Sequence, residues 1–143
     1  MAILGPFTNA YVSINGTDLS DHARSVTITD NRAEVDVTAF SSGGYSQTTK
    51  GLGDASIEIE LLQDLSASKT HAVLQPLVGS TTPIIVEVRP TNAIRSATNP
   101  AALMSNALLF TYNYLDGAVG DAAVTKAMFK NAPGGAGITY PTS

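Results

Sequence analysis

Residue types that usually perform catalysis are scarce in this chain of 143 residues. Its two histidines are His22 and His71, and neither stands in a metal-binding spacing such as HExxH. Ser20, Asp21 and His22 are the residue types of a hydrolytic triad, but triad members meet through the fold and not as sequence neighbours. The absence of cysteine excludes thiolate nucleophiles, thiolate metal sites and disulfides. The sequence therefore predicts no enzyme, no metal site and no cofactor.

Two pairs of carboxylates have the residue types of a glycosidase site. Glu34 and Asp36 form the first pair, and Glu58 and Glu60 form the second. Each pair alternates with apolar residues, which is the pattern of a strand with one buried and one solvated face. We therefore interpret these carboxylates as a solvated strand face. The glycine-rich segment 134–137 predicts no nucleotide site, because no helix follows it to supply a phosphate-binding N-terminus.

Strand-like alternation dominates the chain and must position these side chains. It is clearest at 33–39 and 55–61, where apolar residues occupy every second position. Turn signals separate the strands, with Asn15-Gly16 after the first strand and Asp30-Asn31 between two others. Shorter alternating runs occur at 10–14, 25–29, 83–89, 107–114 and 122–129.

One segment has the pattern of a short helix, with Asp64 or Ser66 as N-cap, Pro76 as an interruption and Gly79 after its end. The expected fold is mostly β: an antiparallel β-sandwich or partial barrel with one short flanking α-helix. A single domain is expected over 1–143, with an N-terminal arm (about 1–9), a long loop 41–53 and a C-terminal arm (about 132–143). The candidate core residues are Val26, Ile28, Val35, Val37, Ile57, Ile59, Leu61, Leu74, Leu77, Ile84, Val86, Leu109 and Phe129.

The charge balance argues against a protein that binds nucleic acid. Eight Lys and Arg residues stand against twelve Asp and Glu residues, and the formal net charge is −4. Phosphate binding needs clustered cations, which this chain lacks. No apolar run approaches the roughly 20 residues of a membrane span, and no signal-peptide pattern begins the sequence, so synthesis in the cytoplasm and no membrane partner are expected. The composition favours a structural or interaction protein.

Three segments in order carry a resemblance to a known family. They are the Asp-Leu-Ser turn at 18–20 before a strand, the run 34–40 before a Gly/Ser-rich loop, and the acidic-apolar strand 56–64 before a helix. Together they resemble the tail tube (major tail) proteins of long-tailed bacteriophages and related gene transfer agents. The similarity is good over residues 8–79 and looser in the later strands. At Asp54-Ala55 the chain departs from the family, in which a bulkier apolar or aromatic residue is frequent.

The resemblance implies a structural protein of the virion tail. Hexameric rings of the chain would stack into a tube that delivers DNA into the host, in contact with tape-measure, tail terminator and baseplate or tip proteins. A tail terminator, a head-tail joining protein and a capsid decoration protein of similar fold are alternatives within this class. A carbohydrate-binding β-sandwich is the alternative from another class, but the chain has no Trp and an aromatic share of only 6% to supply sugar platforms.

Two sets of functional residues follow from the alternation and the resemblance together. A tube that conducts DNA without binding it should present carboxylates rather than cations to the phosphates. Apolar groups in the long loop and the terminal arms need a partner, so we expect them at contacts between rings. The predicted lumen residues are Glu34, Asp36, Glu58, Glu60 and Glu87. The predicted ring-ring residues are Phe7, Phe40, Tyr45, Lys50, Leu52, Ile138 and Tyr140.

Overall fold

A computed structural model describes residues 8–143, without the side chain of Ser42. Within that range the regular elements are eight strands, one α-helix and two short 3-10 helices, which confirms the predicted mostly β fold with a single short helix. The elements are β1 (Tyr11–Ile14), β2 (Thr17–Asp18), β3 (Ala23–Asp36), β4 (Thr48–Leu62), α1 (Thr70–Leu74), β5 (Ile84–Arg89), β6 (Ala102–Tyr112), β7 (Val124–Asn131) and β8 (Ile138–Thr139), with 3-10 helices at Phe40–Ser42 and Gln75–Leu77.

The strands pair in antiparallel fashion within one sheet. Its order is β2-β1-β5-β6-β7-β4-β3, and β8 pairs with the first half of β6. The predicted turn at Asn15-Gly16 joins β1 to β2, and both residues have positive φ, 51° and 83°. Such angles match a tight hairpin turn and explain why Asn and Gly stand there. The strands β3 and β4 form the longest pair, which extends from Ala23 opposite Leu61 to Asp36 opposite Thr48.

One face of the sheet encloses the hydrophobic core. Val12 of β1 and Ile57 of β4 belong to the same buried cluster, although three strands lie between β1 and β4 in the sheet. The sheet therefore curls round its core as an open barrel, and Leu74 of α1 and Leu77 join the same cluster. Burial is confirmed for the predicted core residues Ile57, Ile59, Leu61, Leu74, Leu77, Ile84, Val86, Leu109 and Phe129, and Val26 and Ile28 pack against them partly buried.

The course of β3 corrects the sequence interpretation. We expected a turn at Asp30-Asn31, but β3 continues through these residues without interruption. Because side chains of a strand alternate between its faces, the even-numbered Ile28 and the odd-numbered Val35 lie on opposite faces. Val35 and Val37 are accordingly 45% and 49% exposed, and their assignment to the core was wrong.

Other boundaries also differ from the expected ones. The helix begins only at Thr70, and neither Asp64 nor Ser66 is its N-cap; Asp64 instead accepts a hydrogen bond from the Ser66 backbone N–H at 2.8 Å. The predicted loop 41–53 overlaps the start of β4, so the segment between the paired strands is 37–47. The predicted C-terminal arm contains β8, and the Pro141 carbonyl accepts a hydrogen bond from the Ala101 N–H at 3.0 Å.

Candidate assembly surface

The distal half of the β3–β4 hairpin projects beyond the barrel, and we call residues 31–53 the ribbon. The next strand in the sheet, β7, pairs with β4 only from Ser56 to Leu62, so β7 does not extend along the ribbon. The described side chains from 31 to 50 are exposed on both faces of the ribbon. An isolated two-stranded ribbon has little to stabilise it in water, so a ribbon of this length needs a surface to pack against.

A β-bulge gives the ribbon two chemically different faces. Between the pairs Arg32–Gly53 and Glu34–Lys50 the register shifts, and Ala33 lies opposite two residues of β4. The charged face carries Arg32, Glu34, Asp36 and Lys50. The apolar face carries Ala33 and Val35, which lie over Gly51. A Cβ atom on Gly51 would come within 2.9 Å of Val35 Cγ2, so glycine leaves the room that Val35 occupies.

The ribbon displays three large exposed apolar side chains: Phe40 and Tyr45 lie at its tip, and Leu52 lies at the bulge. Backbone contacts hold the tip together, since Val37 N–H donates to the Gln47 carbonyl at 2.9 Å. Asp36 accepts a hydrogen bond from the Thr38 N–H at 2.9 Å. The hydrogen bonds from Thr38 lower the pKa of Asp36 below its ordinary value. The predicted ring-ring residues of this segment are thus exposed and lie on one structural element.

The other predicted ring-ring residues lie elsewhere. Phe7 falls outside the described residues. Ile138 is buried in the core of its own chain, where it pairs with Met104. Tyr140 is exposed, and its hydroxyl donates to Asp30 at the base of the ribbon at 3.1 Å. Asp30 also accepts from Arg32 at 2.7 Å, and this bond is the main reason why the pKa of Asp30 is lowered. The C-terminal segment therefore braces the ribbon where it leaves the barrel.

The five predicted lumen carboxylates do not share one face. Glu58 and Glu60 lie on the outer face of the sheet, opposite the buried side chains of β4. Glu34 and Asp36 lie on the charged face of the ribbon, which continues the core side of β3. The outer face also carries cations, because Lys126 lies directly opposite Glu60 and Lys130 opposite Ser56. Two glutamates and two lysines therefore balance each other across β4 and β7.

Glu87 lies on the outer face of β5 but is only 9% exposed. Its carboxylate pairs with Arg95 at 2.6 Å and with Arg89 at 3.5 Å. The Arg89 guanidinium in turn lies 3.9 Å from the ring centroid of Tyr11, a cation–π contact between neighbouring strands. This cluster organises the loop after β5. Arg89 follows Glu87 by two positions, the spacing of one strand face, so this partner could have been found from the sequence, whereas Arg95 lies in the loop.

His22 forms a bridge that sequence reasoning missed. Its ring Nδ1 lies 2.7 Å from Asp21 and its Nε2 lies 2.8 Å from Asp64, and its side chain is 15% exposed. Two carboxylates on both ring nitrogens require two N–H donors, which only the imidazolium form has. The hydrogen bonds to Asp21 and then to Asp64 raise the pKa of His22. Ser20 does not join them, because its hydroxyl bonds to Asp18 and Val12, so no catalytic relay forms.

The remaining polar groups at this end of the barrel are also structural. The Ser66 backbone N–H is the main cause that lowers the pKa of Asp64 to about 2. His71 lies 2.7 Å from the Tyr112 hydroxyl and stacks beside that ring.

Among residues 8–143, no three His, Asp or Glu side chains are placed to hold a metal ion. In the same range no helix has the length and apolar character needed to cross a membrane.

Comparisons with known proteins show what this architecture resembles. No protein-family model matches the sequence. No curated protein matches it either. Several solved structures match nearly the whole chain. A chain of the virion of a native gene transfer agent particle has a TM-score of 0.69 at 14% identity, and covers 93% of this chain and 95% of its own.

Two further structures extend the likeness. A chain of the tail of an empty gene transfer agent particle, refined helically with C6 symmetry, has a TM-score of 0.64 at 15% identity over 93% of this chain and 94% of its own. A chain of the sheath/tube terminator of an extracellular contractile injection system, PVC, in the extended state has a TM-score of 0.70 at 11% identity, with 95% of each chain covered. The resemblance found in the sequence is thus confirmed for the fold, and this chain has a phage tail-tube-like fold.

Proposed function

We propose that this chain is a structural subunit of a virion tail tube and not an enzyme. Six copies form a ring, and the rings stack into a hollow conduit for DNA. The observation that carries the proposal is the ribbon, which exposes an apolar face and an apolar tip that the monomer does not cover. The tail-tube-like fold supports it, as does the C6 symmetry of the related gene transfer agent tail.

The outer face of β3, β4 and β7 is the surface that we assign to the lumen. Glu58 and Glu60 stand there beside Lys126 and Lys130, so the face offers no net positive charge to a polyanion. Duplex DNA carries about one negative charge per 1.7 Å, and a cationic wall would hold it. Six chains of −4 give each ring a formal charge of −24, which also opposes binding. For Glu34, Asp36 and Glu87 the lumen position remains a prediction from the sequence.

Electron microscopy of the purified protein over a range of concentrations tests the proposal. We expect tubes with six-fold rings at high concentration and monomers on dilution, measured in parallel by sedimentation velocity. A variant in which a tight Asn-Gly turn replaces the ribbon should fold as a monomer and build no tubes. Normal tubes from the shortened variant would show that the ribbon has no role in assembly. Failure of the complete chain to form any ring would overturn the proposal.

A tail terminator is the second candidate, because a terminator of a contractile injection system shares this fold. A terminator caps a tube and does not extend it. The same microscopy separates the two functions: stacked rings of indefinite length support a tube subunit, whereas single rings at every concentration support a terminator. Contacts with tape-measure and baseplate or tip proteins belong to either candidate and are expected in the virion tail.

A further inference from the structure

The base of the ribbon is the place where the β3–β4 hairpin loses the support of the rest of the sheet. The strand β7 pairs with β4 only as far as Ser56, which lies opposite Lys130. Beyond that point β3 and β4 continue as a pair, and their register shifts between Arg32 and Glu34. A two-stranded ribbon with a bulge bends and twists easily at such a place. The direction in which the ribbon projects therefore depends on the contacts made at its base.

Tyr140 approaches this base from the C-terminal segment, which is fixed to the barrel on both sides of it. Before Tyr140, Ile138 is buried in the core and pairs with Met104 of β6. After Tyr140, the Pro141 carbonyl accepts a hydrogen bond from the Ala101 N–H at 3.0 Å. The backbone of Tyr140 is thus anchored to the barrel, and its side chain can act as a fixed support for a neighbouring segment.

Contacts lead from Tyr140 to both strands of the ribbon. The Tyr140 hydroxyl donates to Asp30 Oδ2 at 3.1 Å, and Arg32 donates to Asp30 Oδ1 at 2.7 Å. The Arg32 guanidinium lies against Gly53 of β4, where a Cβ atom would come within 2.8 Å of its Nη1. Glycine at this position leaves the room that the guanidinium occupies. We call the side chains of Tyr140, Asp30 and Arg32 the strut.

The strut contacts one face of the hairpin and leaves the other face free. Asp30 and Arg32 are even-numbered residues of β3, like Ile28, so they lie on the core side of that strand. The apolar face of the ribbon, with Ala33 and Val35, is on the opposite side and is exposed. Support from the core side therefore holds the ribbon without covering the apolar face that a second chain would contact.

We propose that the strut sets the direction in which the ribbon projects before the chain meets a second copy. Tyr140 and Asp30 are then positioning residues for assembly. This inference rests on the proposed function, in which the ribbon packs on another chain. A segment that already has its bound conformation loses less conformational entropy on binding, so its association is tighter. Without the strut, the ribbon samples a wider range of directions, and only some of them fit a partner.

Spin labels test the strut in the monomer, since the chain has no cysteine of its own to compete for the label. One label is attached to Ser46→Cys at the ribbon tip and the other to Ser105→Cys at an exposed position of β6. Pulsed electron spin resonance then measures the distribution of distances between ribbon and barrel in dilute protein. We expect a single narrow distribution when the strut is intact. Tyr140→Phe, which removes only the hydroxyl, and Asp30→Ala, which removes the acceptor, should each broaden it.

Assembly of the unlabelled variants tests the consequence. Loss of one partly exposed hydrogen bond shifts an equilibrium by roughly two- to tenfold, so Tyr140→Phe should raise the concentration needed for tubes by at least about twofold. The double variant should match Asp30→Ala alone, since the hydroxyl and the carboxylate act through one bond. Tyr114→Phe is the matched control, because it removes a hydroxyl from another exposed tyrosine, and it should change neither the ribbon nor the tubes. Circular dichroism checks that each variant is folded.

The outcomes separate the strut from the proposed function. A distance distribution that stays as narrow in Tyr140→Phe as in the chain with Tyr140 overturns the strut, whatever the protein assembles into. Effects that add in the double variant overturn it too, because Tyr140 and Asp30 then act separately. A broader distribution with tubes at the wild-type concentration overturns the positioning role in assembly. If the wild-type chain forms no assembly, the proposed function fails, and the monomer measurement still decides whether the strut holds the ribbon.

Discussion

Replacing His22 with Gln should make the stability of this protein respond differently to pH. His22 joins the turn before β3 to the segment between β4 and α1, through Asp21 at 2.7 Å and Asp64 at 2.8 Å. The backbone supports the same junction, because Leu62 N–H donates to the His22 carbonyl at 2.7 Å. Gln fills similar space and keeps a hydrogen-bonding group, but it carries no charge. The substitution therefore removes the charged bridge and leaves the backbone contact.

The sign of the effect follows from the raised pKa of His22. A histidine whose folded pKa exceeds its unfolded value stabilises the folded state fully below the unfolded pKa, about 6.5. That contribution is lost as the pH rises through the folded pKa. A hydrogen bond to a charged group that is shielded from water stabilises the folded state by about 1.5–3 kcal/mol. Because Asp21 is exposed, its bond to His22 contributes at the low end of this range. We expect His22→Gln to cost about 1–2 kcal/mol near pH 6 and progressively less toward pH 9.

Urea unfolding at several pH values measures this difference, in dilute protein that sedimentation shows to be monomeric. Lys69 is the other charged group at the bridge, with its Nζ 3.6 Å from Asp21, and Lys69→Gln serves as the control. Its exposed ion pair should contribute at most about 1 kcal/mol, with no loss between pH 6 and 9. The charged bridge would be refuted if the difference in free energy of unfolding between the wild type and His22→Gln stayed constant, or grew, as the pH rises. The NMR titration of His22 then shows directly whether its pKa is raised.

Two further predictions concern the faces of the sheet. Phe129→Ala should lower the free energy of unfolding by about 3–5 kcal/mol in thermal or urea unfolding, because Phe129 is fully buried. Val35→Ala should lower that of the monomer by less than about 0.5 kcal/mol and should instead weaken assembly, because Val35 is exposed. Glu58→Lys with Glu60→Lys should lower stability by about 0.2–1 kcal/mol, because Lys126 then faces a like charge. Tubes of that variant should bind duplex DNA in a salt-sensitive way and virions should eject it slowly, and ejection at the wild-type rate would contradict the lumen assignment.

The predictions from sequence succeeded where short-range pattern decides the structure. Strict alternation located the buried residues of β4. Asn15-Gly16 marked the β1–β2 hairpin, because only a few residue types tolerate the positive φ values there. Of the ion-pair partners of Glu87 and His22, only Asp64 comes from a distant position; Asp21 is the neighbour of His22, and Arg89 and Arg95 follow Glu87 on its own strand and in the next loop. The contact with Asp64 forms because β3 pairs with β4, which periodicity does not specify. The helix was overextended because cap-forming residues also form turns, as Asp64 does with Ser66.

The absence of the predicted turn at Asp30-Asn31 explains how the β3–β4 hairpin can both pack on the core and form the ribbon. The apolar residues of β3 at positions 26 and 28 are even-numbered, and those from Ala33 onward are odd-numbered. A turn between two strands was one explanation of this change, and a continuous strand whose apolar face switches sides is the other. A strand that remains on its core has no reason to switch, because the new apolar residues would face away from the core. In a strand that leaves the barrel, the switch gives the projecting ribbon an apolar face of its own, on the side where a second chain can cover it.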